Sequence, residues 1–265
     1  MSYFKKLVSL LVLVLPSLCD ATALGQITIQ DVLYNTRSII YEKVGDYAVV
    51  EGDILLGKIE NFERKSAIFR LKVGGNHWDQ NILPFEVSDE LPLLSQIAVH
   101  QAVAHWENKT NVDFVEVTEE NRSNFKDYIV FVPAKGTTCS SYVGRQGGRQ
   151  EVLLSTRCMA MTIAHEIGHA LGLWHEQSRA DRANFIRILW ENIEEGHQFN
   201  FDQHVSDGID FGEYDYQSIM HYGAYAFSKN GEKTIVPLIE GVEIGQRTRL
   251  SDKDIAAVNA IYPKL

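Results

Sequence analysis

The chain has 265 residues, of which 45% are hydrophobic and 23% are charged, a composition typical of an ordinary globular protein. This length is sufficient for one well-buried domain and a smaller appendage. The formal net charge of −10 argues against nucleic acid or an anionic membrane as the main partner, because both are bound through basic surfaces.

The amino-terminal sequence has the three parts of a secretory signal peptide. Two lysines precede an apolar run at 7–15, Pro16 ends this run, and small residues at 21–23 provide a cleavage site. The apolar run is too short for a permanent membrane anchor. We therefore expect a signal peptide over residues 1–23 and a mature protein that is secreted, to the medium or through a periplasm in transit, without a membrane anchor.

Export determines which of the three cysteines remain in the mature protein and whether they can form a disulfide. Cys19 leaves with the signal peptide, so that Cys139 and Cys158 remain. An even pair in an oxidising compartment is most simply one disulfide, which would contribute roughly 3 kcal/mol to stability. Two unpaired buried thiols are the alternative.

After the signal peptide, the spacing of hydrophobic residues changes along the chain between the pattern typical of strands and that typical of helices. Residues 24–75 mix short apolar stretches with charged ones and end at two glycines, which indicates a flexible junction. Beyond it, the pattern predicts strands at 81–87, 112–117 and 128–132, and helices at 91–110, at about 157–171 and from Ser251 onward. In the second helix, Ile163, Ala164, Ile167 and Leu171 would form the buried stripe. Strands with helices packed around them indicate an α+β domain.

The segment AHEIGHALGLWHEQSR, residues 164–179, carries three histidines within eleven positions. His165 and His169 lie four residues apart, so a helix directs both imidazoles to one point. Two nitrogens are too few to hold zinc firmly. Gly172 allows the chain to leave the helix in a left-handed turn, and His175 can then complete a three-histidine site.

Three neutral histidines leave zinc an open coordination position, as catalytic zinc sites do. Zinc lowers the pKa of a water at this position, and Glu166 can take its proton during attack on a carbonyl and pass it to the leaving amine. This chemistry suits amide hydrolysis, whereas the alternative is a set of surface histidines on an amphipathic helix. Five further histidines lack ligand spacing and are more typical of solvated or hydrogen-bonded side chains: His77, His100, His105, His197 and His204.

Two motifs give the chain a resemblance to a known family. The pattern H-E-x-x-H-x-x-G-x-x-H is the metzincin signature, and its continuation HEQSRADR resembles the astacin family. The segment SIMHY resembles the astacin Met-turn. The resemblance implies an α+β metzincin-type zinc protease domain with a twisted sheet, an active-site helix, a Met-turn and one zinc ion per chain. It also implies that Met220 forms an apolar floor below the metal, and that Tyr222 is a further ligand that can swing off zinc and stabilise the oxyanion of the transition state.

The resemblance extends from roughly Trp78 to the end of the chain, and implies a catalytic domain over residues 76–265. The segment CSSYVGRQGGRQEVLLSTRC is similar to the astacin segment between two bonded cysteines, which favours a disulfide between Cys139 and Cys158. A second disulfide that astacins usually carry, from the region near Val112 to the chain's end, has neither cysteine here. We therefore expect the same fold without that crosslink.

Two further roles follow from the resemblance. The tetrapeptide VEGD resembles the F-x-G-D switch of astacin propeptides, with Val50 in place of phenylalanine, and implies that Asp53 blocks zinc in a propeptide spanning residues 24–75. A Gly-Asp pair is otherwise an ordinary turn. Cleavage within 70–76 would release the propeptide, after which Glu176 would pair with the new amino terminus.

The sequence therefore favours a secreted zinc endopeptidase that is made as a zymogen and binds an extended peptide as an added strand. We expect a monomer that acts on protein or peptide substrates. The resemblance also implies a preference for an acidic residue just after the scissile bond, since astacins often favour one, and Arg247 is the candidate for binding it; a surface arginine is the alternative. Two other hypotheses are an exported zinc-binding module without activity, which would not need Glu166, and a zinc amidase or deacetylase of small molecules.

Overall fold

The structure is a computed structural model that describes residues 23–30, 36–63, 77–205 and 207–264. The predicted signal peptide lies outside the described residues except for its last position, and the expected cleavage region at 70–76 lies outside them entirely. In the described ranges, no helix combines the length and the apolar character that crossing a membrane requires.

The amino-terminal sheet is built from four consecutive antiparallel strands: β1 (Leu24–Gln30), β2 (Thr36–Val44), β3 (Tyr47–Val50) and β4 (Ile54–Lys58), followed by the short helix α1 (Ile59–Glu63). The sequence analysis left this region unassigned. Val49 and Leu55 are buried in one cluster with Leu153 from the larger part of the molecule. This contact fixes the β3–β4 turn at residues 51–53 against the rest of the protein.

A second sheet contains four strands in the order β6-β5-β7-β8, in which all neighbours are parallel. Its strands are β5 (Ile82–Val87), β6 (Asp113–Glu116), β7 (Tyr128–Pro133) and β8 (Arg149–Leu154). The helices are α2 (Leu93–Glu107), α3 (Ala160–Ala170) and α4 (Asp252–Ile261), and a short pair of strands consists of β9 (Ile186–Ile188) and β10 (Ile235–Pro237). The predicted α+β class is confirmed, although β8 was not predicted.

The main core lies where α2 and α3 pack together. Ile163, Ile167 and Leu171 are fully buried, as the predicted stripe requires. Trp106 on α2 is also fully buried, and its indole Nε1 donates a 2.8 Å hydrogen bond to the Ala164 carbonyl on α3. This indole buries a large apolar surface, and its Nε1 hydrogen has a hydrogen-bond acceptor. Both interactions fix α3 relative to α2.

Helix α3 begins and ends close to its predicted bounds. It starts at Ala160, three residues later than predicted, because Met159 has an extended conformation at the amino-terminal cap. At the other end Gly172 has φ 108°, a conformation that glycine adopts without the clash that a Cβ would cause. The Leu173 amide donates back to the Gly168 carbonyl at 3.0 Å. The predicted left-handed exit from the helix is therefore confirmed.

One disulfide and a pair of hydrogen bonds connect separate segments of the part of the chain that follows residue 76. Cys139 and Cys158 form the expected disulfide. Near the site of the missing second disulfide, the Asn111 amide donates to Asn259 at 2.8 Å, and the Asn111 side chain donates to the Tyr262 carbonyl at 3.1 Å. Hydrogen bonds thus hold the end of the chain where the resemblance led us to note an absent crosslink.

Candidate active site

Three imidazoles converge beside α3. His165 and His169 lie one turn apart on α3, and the turn at Gly172 returns the chain so that His175 faces them. The Nε2 atoms of His165 and His175 are 3.3 Å apart. All three side chains are buried. The structure therefore brings together the three histidines that the spacing singled out.

The Nδ1 atom of each histidine lies against an oxygen acceptor. The contacts are His165 with the Ile219 carbonyl at 2.8 Å, His169 with the Leu173 carbonyl at 2.8 Å and His175 with the Glu51 carboxylate at 2.7 Å. In the tautomer in which Nδ1 donates to these acceptors, each Nε2 keeps a lone pair, which faces the centre of the cluster.

A carboxylate lies where the three Nε2 atoms converge. Asp53, in the turn between β3 and β4, places Oδ2 3.1 Å from the Nε2 atom of His165. Its Oδ1 atom is 3.2 Å from the corresponding atom of His175 and 3.7 Å from that of His169. One ligand atom from each of these four side chains lies within 4.8 Å of the other three.

The chemistry of these four groups fits a metal ion. Three lone pairs and a carboxylate face one another, so a cation is the group that would remove their repulsion. Asp53 Oδ1 and His169 Nε2 are buried without a hydrogen-bond partner among the described residues. Imidazole nitrogen and carboxylate oxygen are donors that zinc prefers, and four of them complete a tetrahedral site.

Glu166 lies beside the first metal-binding histidine. It is 1% exposed, and its Oε2 atom has no hydrogen-bond partner among the residues that the structure describes. Burial raises the pKa of this carboxyl well above its usual value, the negative charge of Asp53 raises it further, and the Arg247 guanidinium opposes both. The general-base role of Glu166 stays a prediction, and its position next to the cluster agrees with that role.

Met220 and Tyr222 contact the histidine-bearing segment. A Cβ built on Gly168 of α3 would lie 2.7 Å from the Met220 sulfur, so this glycine allows the methionine to approach the helix. The Tyr222 ring is tilted against that of His175, with 4.7 Å between centroids. Its hydroxyl donates a 2.6 Å hydrogen bond to the Glu51 carbonyl. The metal-ligand role that the resemblance implies for Tyr222 stays a prediction.

Asp254 positions the Met-turn, a role that the sequence analysis did not predict. In α4 it completes the capping box with Ser251. The same carboxylate accepts the Ser218 hydroxyl at 2.6 Å and the Ile219 amide at 2.9 Å. The Ile219 carbonyl in turn orients His165. One helix-capping carboxylate therefore holds both the Met-turn and, through it, the imidazole of His165.

The other two predicted site residues lie at the edges of the cluster. Glu176 is mostly buried, accepts the Asp215 amide at 2.7 Å and has a pKa that burial raises to about 8. The amino terminus that it is expected to bind falls outside the described residues. Arg247 is half-buried, lines the same cleft as Glu166 and Tyr222, and donates to a backbone carbonyl at 3.0 Å. Its contact with substrate stays a prediction.

Glu51 is a residue of the site that the sequence analysis did not single out. Its side chain is 3% exposed and contacts His175, Ser178 and His204. The signal was present as the acidic residue in VEGD, but nothing local to the sequence shows what this carboxylate contacts. His204 has the hydrogen-bonded role that the sequence analysis considered typical for it.

An α+β domain with three imidazoles on a helix and its exit turn, above a methionine turn, has the architecture of a zinc metallopeptidase. The family model described as Astacin, a peptidase family, matches residues 71–263. The chain belongs to the astacin family, and zinc is the metal that its three histidines and Asp53 are suited to bind.

Similar proteins agree with this assignment. Zinc metalloproteinase nas-4 of Caenorhabditis elegans is 38% identical over 226 residues, which cover 83% of this chain and 70% of that protein. Zinc metalloproteinase nas-13 of the same organism is 42% identical over 188 residues, covering 70% of this chain but only 40% of that protein. A solved structure of high choriolytic enzyme 1, a hatching enzyme zinc-protease from Oryzias latipes, matches with a TM-score of 0.63 and 35% identity, over 72% of this chain and 94% of that one.

Proposed function

We propose that the chain is a secreted zinc endopeptidase in its latent form, and that it hydrolyses peptide bonds once residues 24–75 are removed. The observation that carries this proposal is the position of Asp53 among the three imidazoles. A carboxylate from the amino-terminal sheet thereby occupies the place that water and substrate need. The catalytic domain in this proposal spans residues 76–265, and the signal peptide spans residues 1–23.

In this proposal the chemistry is divided between the metal and two side chains. The three histidines would hold zinc, which would supply a Lewis acid for the scissile carbonyl and for the attacking water. Glu166 accepts the proton of the attacking water and delivers it to the leaving nitrogen. Tyr222 donates its hydroxyl hydrogen to the oxyanion of the transition state. In the latent form that hydroxyl is bonded to Glu51, so it becomes available only when this segment leaves.

The mode of substrate binding is supported by a backbone contact of the latent form. The Leu55 amide donates to the Ser141 carbonyl at 2.8 Å, and the Ser141 amide donates to the Asp53 carbonyl at 2.9 Å. Once the propeptide leaves, the segment containing Ser141 would offer these backbone groups to an extended chain at the edge of the site. Addition of a strand at such an edge gives affinity through the main chain, which suits protein and peptide substrates.

Release of the propeptide would also change the surroundings of Glu176. Its carboxyl is buried beside Asp215, and the nearest guanidinium nitrogen, that of Arg179, is 3.6 Å away. A new amino terminus would supply an ammonium group to this carboxylate, and a buried pair of this kind would order the mature form.

Activity is tested with the full chain after the leader has been removed by trypsin. Wild type should digest casein or gelatin, whereas Glu166→Ala should not, with equal zinc content in both. The matched control is Glu119→Ala, because Glu119 is exposed on a turn and should leave digestion unchanged. Equal digestion by Glu166→Ala would refute the general base. Zinc binding without digestion by wild type would favour the binding module, and cleavage of small amides alone would favour the amidase.

Latency is tested separately by Asp53→Ala in the unprocessed chain. The variant should digest casein without trypsin, because loss of the carboxylate that contacts all three imidazoles weakens the hold of the site on the β3–β4 turn, so that this segment leaves more readily. Asp46→Ala is the control, since Asp46 is exposed in the turn between β2 and β3 and pairs with Lys135. An unchanged lag before activity in Asp53→Ala would refute the blocking role.

A further inference from the structure

Residues of the catalytic part of the chain contact the backbone amide, the backbone carbonyl and the side chain of Glu51. The Asn200 side chain accepts the Glu51 amide at 2.7 Å, and Tyr222 donates to its carbonyl at 2.6 Å. Glu51 has φ 48°, a left-handed conformation that is uncommon for residues other than glycine and that persists only when surrounding contacts hold it. These contacts bring its carboxylate into a closed pocket.

Three donors surround the two carboxylate oxygens of Glu51. The Nδ1 atom of His175 is 2.7 Å from Oε2, and the Ser178 hydroxyl donates to the same oxygen at 2.9 Å. The Nε2 atom of His204 contacts Oε1. We call these three groups, on His175, Ser178 and His204, the carboxylate pocket. Hydrogen bonds to an ionised acceptor are about twice as strong as neutral ones, so this set is selective for a carboxylate.

The pocket is built by contacts that do not depend on Glu51. Asp207 lies 3.0 Å from the Nδ1 atom of His204 and fixes the ring with its Nε2 atom toward the pocket. The His204 ring stacks on Trp174 with 3.7 Å between centroids. The His204 amide donates to the Ser178 carbonyl at 2.9 Å. The donors therefore keep their arrangement if the amino-terminal sheet leaves.

The pocket also lies close to the position of the reaction. His175 belongs to both places, because its Nε2 atom faces the metal position while its Nδ1 atom faces the pocket. When Nε2 binds a metal, Nδ1 keeps its hydrogen and must find an acceptor. Departure of Glu51 would leave this hydrogen, the Ser178 hydroxyl and His204 without the carboxylate that they bind.

We propose that the carboxylate pocket is a specificity subsite of the processed enzyme that binds the side chain of a substrate glutamate near the scissile bond, and that Glu51 fills it in the latent form. This inference rests on the proposed peptidase function. Arg247 lines the cleft with Glu166 and Glu51, but it is not one of the three donors of the pocket.

The test uses trypsin-processed enzyme and a set of otherwise neutral peptides. Each peptide carries one glutamate at one of the positions flanking the scissile bond, and its partner carries glutamine there. At one position kcat/KM should be about tenfold higher for glutamate, equivalent to about 1.4 kcal/mol. His204→Phe keeps a ring against Trp174 but removes the donor, and should reduce this ratio to below threefold. The control His100→Phe, on the exposed face of α2, should retain it.

A wild-type enzyme without a glutamate preference at any position would overturn the proposal. A preference that His204→Phe leaves unchanged would overturn it as well, because such a preference must come from another group such as Arg247.

A binding measurement separates failure of the pocket from failure of the proposed function. Calorimetry on processed Glu166→Ala protein compares a peptide of residues 47–58 with the same peptide carrying Glu51→Gln. The natural peptide should bind at least tenfold more tightly, and this comparison needs neither proteolysis nor the His204 variant. Equal affinities would overturn the pocket even if the enzyme is active. A tenfold difference in a protein that cleaves nothing would leave the pocket standing and refute the peptidase.

Discussion

Replacement of Gly168 by alanine tests whether the Met-turn supports the metal-binding helix. Gly168 lies on α3 between Glu166 and His169, and its Cβ position is 2.7 Å from the Met220 sulfur and 3.5 Å from the Trp106 ring. The first distance is well below a normal contact, so either the methionine or the helix must shift. Because the sulfur lies within the side chain and Met220 is 2% exposed, the methionine has little free space for this shift.

Two opposing contributions set the magnitude of this effect. Alanine in place of glycine inside a helix stabilises by about 1 kcal/mol. Overpacking of a filled core costs about 1–3 kcal/mol. The net expectation for Gly168→Ala is a loss of about 1 kcal/mol, which corresponds to a fall in Tm of about 2–4 °C for a domain of this size.

The assay is thermal unfolding of the full chain, with the zinc content measured on the same samples. Gly136→Ala is the control, because its Cβ would meet only Val44 at an ordinary 3.7 Å. Gly168→Ala should unfold at a lower temperature and retain less zinc after dialysis than either wild type or control. A rise in Tm by the amount that helix propensity alone gives would refute the close packing of Met220 on α3.

Three further predictions address catalysis, the disulfide and the pH dependence of stability. Tyr222→Phe in the processed enzyme should lower kcat by about 10²–10³, as loss of one oxyanion donor does, with KM nearly unchanged; steady-state kinetics showing wild-type kcat would exclude that role. The double change Cys139→Ser and Cys158→Ser should reduce the free energy of unfolding by about 2–5 kcal/mol, and identical guanidinium midpoints would contradict this. Asp127 accepts the Gly148 amide at 2.6 Å, which lowers the pKa of its carboxyl below the ordinary 3.8. Its stabilising contribution is therefore present above the unfolded-state pKa and lost as the pH falls through the folded-state pKa. The difference in the free energy of unfolding between wild type and Asp127→Asn should shrink as the pH is lowered. A difference that stays constant down to the lowest pH would contradict this.

The arrangement of the histidine-bearing segment was predictable because its signals are local. The four-residue spacing of His165 and His169 and the glycine that ends the helix act within two turns of chain, and the structure follows them. The buried stripe on α3 is likewise a property of one helix. Helices α2 and α4 were predicted for the same reason, from periodicity and from the cap at Ser251.

The amino-terminal sheet and β8 were not predicted because strand pairing is not local. Two buried side chains of that sheet, Val49 and Leu55, meet a partner about one hundred residues away in sequence at Leu153. The residues of β8 show little alternation of apolar and polar side chains, and they follow a glycine-rich stretch. Their position is determined by pairing with β7 in the sheet. Sequence periodicity carries no information on either contact.

Some site residues were missed because one side chain serves two distant partners. Asp254 reads in sequence as an ordinary helix cap, and its bond to the Met-turn spans 35 residues. Glu51 reads as part of a turn, yet it contacts His175 and His204, which are 124 and 153 residues away. The resemblance identified Asp53 in the same turn, but the neighbouring carboxylate becomes visible only in three dimensions.

The central claim is that one zinc ion is held by three histidines and is blocked by Asp53 before activation. X-ray absorption spectroscopy at the zinc edge, on full-length protein of known metal content, tests it most directly. The account predicts one zinc per chain with three imidazole nitrogens and one oxygen at about 2.0–2.2 Å. In Asp53→Ala a water oxygen should take the place of the carboxylate oxygen, and only the more distant scattering of the carboxylate carbon should be lost. Protein without stoichiometric zinc, or zinc with fewer than three imidazoles, would contradict it.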